Sequence, residues 1–224
     1  MQVEWYGQSA FRLEADGQSV VIDPFGAEIA ETAASRGWEF EYPPIGSVTA
    51  DLVLVTHEHF DHNGVEVVEG DPEIIRARAG THESPIGEVV GVAAEHDPEA
   101  GTKRGPNTIF VFSLGGVRVC HFGDFGQSSL RDEQAAAIGQ VDLLFIPVGA
   151  GPTIDAAEAA AVVERLSPRW VVPMHYRTPR VGFLEPADAF LDRMPAVERV
   201  ATPVFDTDAL PTENSPLAVV PAVP

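Results

Sequence analysis

A sandwich of α/β or α+β class is the fold this chain predicts, and three features of the sequence carry the prediction. The opening residues alternate apolar and polar side chains in short pieces, the pattern of half-buried antiparallel strands. Further along, apolar runs of strand length alternate with Ala- and Glu-rich stretches of helical character. No Gly-x-Gly-x-x-Gly follows a strand, which argues against a doubly wound dinucleotide-binding sheet.

In chain order, residues 3–6, 9–13 and 19–22 are the first strands, and Ala15-Asp16-Gly17-Gln18 turns between the last two. Residues 26–50 mix Gly and Pro with Trp38, Phe40 and Tyr42 and show no sustained period. They read as a long loop with room for a short helix, placed to overhang a site or to meet a neighbouring subunit. Leu52-Val53-Leu54-Val55 is an apolar strand, and further strands are expected at 89–94, 108–113, 117–122, 143–148 and 170–173. Residues 154–166, opened by Thr153 and Asp155 as caps, form a helix, and 186–194 a second. This gives a single domain over 1–205. Residues 206–224 hold four prolines and no helical period and are expected to trail as an extended tail.

Composition narrows the range of functions. At 224 residues and 45% hydrophobic content the chain can bury a core without disulfides. The lone Cys120, in Val117-Arg118-Val119-Cys120, reads as a buried inert thiol. A formal net charge of -20 sets the protein against nucleic acid, because displacing counterions from phosphates needs Lys and Arg. No apolar stretch reaches the length of a membrane span, and Met1-Gln2-Val3-Glu4 lacks the basic start of a secretory signal. The expectation is a cytoplasmic protein with a small-molecule substrate, and a homo-oligomer is compatible with the sequence.

Directly after Leu52–Val55 stands Thr56-His57-Glu58-His59-Phe60-Asp61-His62. Imidazole and carboxylate are ligands for zinc and its first-row neighbours, and the skip of one residue puts His57 and His59 on one side of an extended backbone. Asp61 and His62 are adjacent, point differently, and can serve a second ion. His96 follows Val92-Ala93-Ala94 closely, Asp124 follows Val119-Cys120-His121-Phe122-Gly123, and His175 follows Val171-Val172-Pro173-Met174. Each stands just past the end of a strand, and ligands gather outside the carboxyl ends of strands in open sheets.

At these residues the chain resembles the metallo-β-lactamase superfamily. The likeness rests on His57-x-His59-x-Asp61-His62, Ala94-Glu95-His96-Asp97, Phe122-Gly123-Asp124 and Pro173-Met174-His175-Tyr176, and extends back to Ile22-Asp23-Pro24. Gly105-Pro106-Asn107-Thr108 and Ile146-Pro147-Val148-Gly149 look most like the small bacterial metal-dependent hydrolases related to ascorbate-phosphate lactonase. The resemblance implies a four-layer αββα sandwich with two divalent ions at one edge, Zn in the first place with Mn or Fe as alternatives. It places one ion on His57, His59 and His96, the other on Asp61, His62 and His175, and Asp124 between them. It also implies hydrolysis by a hydroxide shared between the ions, acting on a small anionic ester, lactone or phosphodiester.

Asp61 is the candidate catalytic residue, to orient the hydroxide or carry a proton. Lys103, Asn107 and Arg177, with Arg104, are candidates for binding an anionic substrate because they lie near His96 or His175 in sequence. Asp23 is a candidate partner for the back of a ligand histidine. Asp97 and His121 are weighed between the site and ordinary structural roles, and His82 is expected to be exposed. Diiron redox chemistry in this fold would place Glu where His59 stands, a β-lactamase with a cysteine ligand would not have Asp124, and a ribonuclease would need a basic arm. The rival outside catalysis is a metal-binding sensor or scaffold that keeps the ligands without turnover.

Overall fold

In the computed structural model, which describes residues 1–213 and 215–224, two β-sheets stack face to face and helices cover their outer surfaces. Strands β1 (Gln2–Gly7), β2 (Ala10–Ala15) and β3 (Gln18–Ile22) form the expected antiparallel meander. Period-two alternation sends Val3, Trp5, Phe11, Leu13, Val20 and Ile22 to the interior between the sheets. After helix α1 (Ile29–Ser35) and the short β4 (Val48–Thr49), strand β5 (Leu52–Val55) pairs parallel with β3. All four β5 residues are buried, as expected of a parallel strand covered on both faces.

Beyond the histidine cluster come β6 (Val68–Glu69), which pairs with β4, and β7 (Glu73–Arg76), which closes the first sheet beside β5. The second sheet begins with β8 (Gly80–Ser84), β9 (Gly87–Glu95), β10 (Pro106–Leu114) and β11 (Val117–His121) as antiparallel neighbours. Helix α2 (Asp132–Ile138) leads to β12 (Leu143–Pro147), and α3 (Ala156–Leu166) to β13 (Trp170–Met174). Both strands join parallel to what precedes them. A capping box opens α3: Asp155 accepts from the backbone N–H groups of Ala157 and Glu158, and Glu158 reaches back to the N–H of Asp155. The chain ends with α4 (Asp188–Leu191), β14 (Ala196–Arg199), β15 (Val204–Asp206) and β16 (Leu217–Val220). Ile138, Val162, Val163, Phe190 and Leu191 pack α2, α3 and α4 onto the main core, and Ile29 and Ala33 pack α1 over Ala10 of β2. These layers are the αββα sandwich.

Three expectations need correction. The second predicted helix, 186–194, shrinks to the single turn of α4, which lacks a side-chain cap and must give way to β14. Helix α2 is absent from the sequence reading, although two acidic residues in its first turn and Gly139 just after its end mark it. The described residues of 206–224 do not trail: Asp206 ends β15 at the edge of the first sheet beside β1, and β16 lies between β13 and β14 in the second. Leu217-Ala218-Val219-Val220 is an apolar run, and burial in the gap between two strands outweighs the prolines around it. Phe40 and Tyr42 are likewise buried in the protein's own core, and of that aromatic group only Trp38 is exposed.

Cys120 is buried, and burial pushes its thiol pKa far up, as the inert reading requires. No helix among the described residues is long and apolar enough to cross a membrane. Because Val219 is 0% exposed in β16, Val219→Asp buries an unpaired carboxylate. It is expected to destabilise the fold by at least ~3 kcal/mol, seen as a large drop in melting temperature, whereas a solvated tail would tolerate the change within about 0.5 kcal/mol.

Candidate metal centre

The centre forms where strands from both sheets stop at one edge. Parallel pairing of β3 with β5 sets Ile22 opposite Leu54, so Asp23 leaves one strand beside Thr56 and His57 leaving the other. The parallel run β11, β12, β13 sets Pro147 opposite Met174 and delivers Asp124 and His175 from its ends. His96 stands just past β9. Two glycines allow these ends to approach. A Cβ on Gly123, at φ 54°, would strike Asn107 Oδ1 and the Thr56 side chain, and one on Gly149 would strike the carbonyl oxygen of His175. His175 itself takes the left-handed conformation at φ 50°, an uncommon backbone for a residue with a side chain.

Five of the seven histidines meet here with two aspartates. His57, His59 and His96 bring one ligand atom each to within 4.8 Å of one another, as do Asp61, His62 and His175, and as do His57, His62 and Asp124. Asp124 sits among them all. Its Oδ2 lies 3.2 Å from His96 Nε2, 3.3 Å from His175 Nε2 and 3.9 Å from His57 Nε2, and its Oδ1 lies 3.4 Å from His62 Nε2.

Hydrogen bonds behind the rings orient them. Asp23 Oδ1 accepts from the Thr56 N–H at 2.7 Å, and Oδ2 accepts from the Thr56 hydroxyl at 2.7 Å and from His62 Nδ1–H at 3.0 Å. Having given its proton to Asp23, the Thr56 hydroxyl accepts from His57 Nδ1–H at 3.0 Å. His96 Nδ1–H donates to the Pro152 carbonyl at 3.1 Å. Each of these three rings therefore turns its Nε2 inward, the arrangement that orients metal-binding histidines.

Burial and neighbouring charges shift the groups of the centre in different directions. Burial, reinforced by His62 and other neighbouring histidines, holds the His57 imidazole well below the usual histidine pKa. Burial also opposes charge on His62, but the carboxylates of Asp124, Asp61 and Asp23 outweigh it and hold that ring well above the usual value. For Asp124 burial works upward, and the surrounding His175 and His62 overcome it and keep the carboxyl well below its usual range. Meanwhile His57 Nε2, His62 Nε2 and Asp124 Oδ1 are buried with no hydrogen-bond partner among the described residues. Inward ring nitrogens gathered around buried carboxylates are the donor set that Zn, Mn or Fe takes, an ion displacing the proton that the carboxylates favour on His62, and the residues fit such ions.

The cavity above these groups has a volume of about 580 Å³ and is lined by His59, Asp61, His96, Asp124 and His175 at its floor. Of the candidates for binding substrate, Lys103 and Arg104 line it and two others do not. Asn107 is buried; its amide donates to the Phe122 carbonyl at 2.8 Å and its Oδ1 accepts from the Asp124 N–H at 3.1 Å, so it holds the turn that presents Asp124. Arg177 faces a separate depression, its Nε donating to the Leu184 carbonyl at 2.6 Å and its guanidinium 3.8 Å from Glu185. The left-handed turn at His175 separates neighbours in sequence from neighbours in space.

Among the residues weighed between site and structure, Asp23 orients two rings as described. Asp97 accepts from four backbone N–H groups, those of Glu99, Gly101, Lys103 and Arg104, and so shapes the loop carrying the two cations. His121 stays outside the ligand groups, donating from Nε2 to the Ser9 carbonyl at 3.0 Å and accepting from the Gly123 N–H at 3.1 Å. His82 is half-buried in β8, its ring nitrogen 3.0 Å from the Arg78 carbonyl. Trp38, expected on a loop that overhangs a site or meets a neighbouring subunit, lines the cavity, and Thr56, Arg36, Phe60 and Phe183 were not singled out as site residues. Thr56 and Phe60 had a local cue, their places within the histidine cluster, and Arg36 falls in the 26–50 loop expected to overhang a site, whereas Phe183 comes from a loop without a motif.

The model of the β-lactamase superfamily domain matches residues 2–175. The chain belongs to this superfamily. Among its relatives, the UPF0173 metal-dependent hydrolase of Pyrobaculum neutrophilum is 31% identical, the match spanning 89% of this chain and 94% of that one. That of Thermococcus onnurineus is 33% identical over 80% of this chain and 85% of its own. In three dimensions the chain is similar to a candidate Zn-dependent hydrolase of the metallo-β-lactamase superfamily from Thermotoga maritima. That structure shares 31% identity and 98% coverage of both chains, with a TM-score of 0.77. A superfamily member with this hydrogen-bonded back to its histidines should lose metal when the back is removed. Asp23→Asn is expected to weaken metal binding by ~10–100-fold in a competition titration against a chromogenic chelator, with unchanged far-UV circular dichroism.

Proposed function

We propose that this protein is a metal-dependent hydrolase whose dinuclear centre acts on a small anionic ester, lactone or phosphodiester. The supporting observation is the set of seven ligand residues centred on Asp124, with His57 Nε2, His62 Nε2 and Asp124 Oδ1 buried and without a hydrogen-bond partner among the described residues. In this reading His57, His59 and His96 hold one ion, Asp61, His62 and His175 the other, and Asp124 serves both. Zn suits the imidazole-rich set, and Mn or Fe can take the same ligands. Divalent ions bound there supply Lewis acidity and lower the pKa of water toward neutrality. The metal-dependent hydrolases among the relatives point to the same class of reaction.

The remaining chemistry belongs to the chain. Asp61 stands at the cavity floor with the charge of its carboxylate sustained: burial raises its pKa, but His62 more than offsets this and lowers it. Its free oxygen can take a proton from attacking water or pass one to the leaving group. Lys103 and Arg104, held by the loop around Asp97, face the cavity and attract the anionic part of a substrate. Asp23 and Asn107 touch no substrate in this scheme; they keep His57, His62 and Asp124 aimed.

The test is a screen of phosphodiester, lactone and thioester substrates with protein loaded with Zn or Mn. Turnover is expected to vanish on chelation and return with metal. Asp124→Ala should lose at least one equivalent of metal and cut kcat/KM by ~100-fold or more. An Asp124→Ala protein that keeps two full equivalents would overturn the assignment, and metal-dependent partner binding with no turnover would mark a sensor. Replacing Lys103 and Arg104 together with Ala is expected to raise KM for an anionic substrate by ~10-fold while leaving metal content unchanged.

A further inference from the structure

The mouth of the cavity is built differently from its floor. Trp38 and Phe183 are 39% and 45% exposed, two of only four large hydrophobic side chains so exposed among the described residues. They touch each other, with ring centroids 5.2 Å apart, and Trp38 also lies 5.7 Å from Phe60. The planes of Phe60 and Phe183 are tilted only 33° and 31° from that of Trp38, so the three rings present a shallow aromatic wall. Leaving such rings in water is unfavourable, and exposed aromatic surface beside a concave site marks a place where a ligand covers it.

Cations stand on the same rim. Arg36, Lys103 and Arg104 all line the cavity, in a chain with only 14 Lys and Arg against 34 Asp and Glu. Five other arginines, Arg12, Arg76, Arg131, Arg165 and Arg177, sit within reach of carboxylates, whereas these three form no ion pair among the described residues. The Arg36 guanidinium instead lies 4.3 Å above the Phe60 ring, which ties a positive charge to the aromatic wall. In a strongly acidic protein, unpaired cations beside an uncovered aromatic surface leave two needs that one molecule can meet.

Building on the hydrolase reading, we infer that the substrate is an anion carrying a planar apolar ring. Its charged group meets Lys103, Arg104 and Arg36, and its ring stacks on Trp38 and Phe183. The hydrolysed bond lies between these ends, over the floor formed by His59, Asp61 and Asp124. Neutral esters lack the first contact and small aliphatic anions the second, so both are poor ligands. The aromatic wall determines specificity and takes no part in bond cleavage.

Calorimetric titration of Zn-loaded protein with inorganic phosphate, phenyl phosphate, cyclohexyl phosphate and benzyl alcohol tests this. Phenyl phosphate is expected to bind about tenfold tighter than inorganic phosphate and measurably tighter than cyclohexyl phosphate, while benzyl alcohol shows no binding. Trp38→Ala, and separately Phe183→Ala, should shrink the advantage of phenyl phosphate without changing the affinity for inorganic phosphate. Both residues are exposed, so these variants are expected to fold, as circular dichroism can verify. Equal affinity for phenyl and inorganic phosphate, equal affinity for phenyl and cyclohexyl phosphate, or an advantage that survives both variants would overturn the inference. Turnover with no preference for a ring would remove this inference and leave the hydrolase standing. Preference for a ring with no turnover on any substrate would overturn the hydrolase reading and leave the rim as a binding site for aromatic anions alone.

Discussion

The bonds made by the Asp23 carboxylate are the constraint on which the centre depends. It is completely buried at the end of β3, in a left-handed conformation at φ 47°, and it accepts from the Thr56 N–H, the Thr56 hydroxyl and His62 Nδ1–H. A buried carboxylate costs several kcal/mol unless its lone pairs are met, and here three donors meet them. Through Thr56 the same carboxylate governs His57, so one side chain sets the tautomer and direction of rings on both halves of the cluster. The sheet makes this possible, because the Asp23 N–H donates to the Leu54 carbonyl at 2.9 Å and locks the two strand ends in register.

Around that anchor, the floor and mouth of the cavity are held in different ways. The ligand cluster hangs from the ends of buried strands, with the His62 and His96 rings held from behind by Asp23 and Pro152 and the Asp124 backbone held by Asn107. Groups that must hold ions at fixed separations gain from such rigid support. The mouth is made of loops, with Arg36 and Trp38 just past α1, Lys103 and Arg104 on the loop bound to Asp97, and Phe183 beyond His175. Loops on a rigid scaffold are where related proteins vary their specificity, and under the proposed function chemistry and recognition occupy separate parts of the fold.

Charge follows the same division. The chain is acidic throughout, at a formal net charge of -20, yet its cavity gathers unpaired cations at the rim and histidines at the floor. Net charge therefore describes the protein as a whole and says little about what the cavity admits. Small anions respond to the local field, which in a concave site is dominated by the nearest few charges.

The sequence by itself determined the parts that local spacing can encode. His57, His59, Asp61 and His62 lie within six residues, so chain connectivity alone brings them together, and alternation in the apolar runs marked the strand ends at His96, Asp124 and His175. The αββα class was legible from the same runs with the family resemblance. Decisions that depend on contacts across the fold were not legible. Arg177 and Asn107 stand near ligands in sequence, but a left-handed turn and a buried amide network direct them elsewhere. The apolar run 217–220 looked like part of a tail until the gap between β13 and β14 supplied its neighbours. Trp38, Phe60 and Phe183 carry no shared motif, since they come from three separate loops. Only tertiary structure brings them to one rim, because burial and loop closure act between residues far apart in the chain, where no local pattern records them.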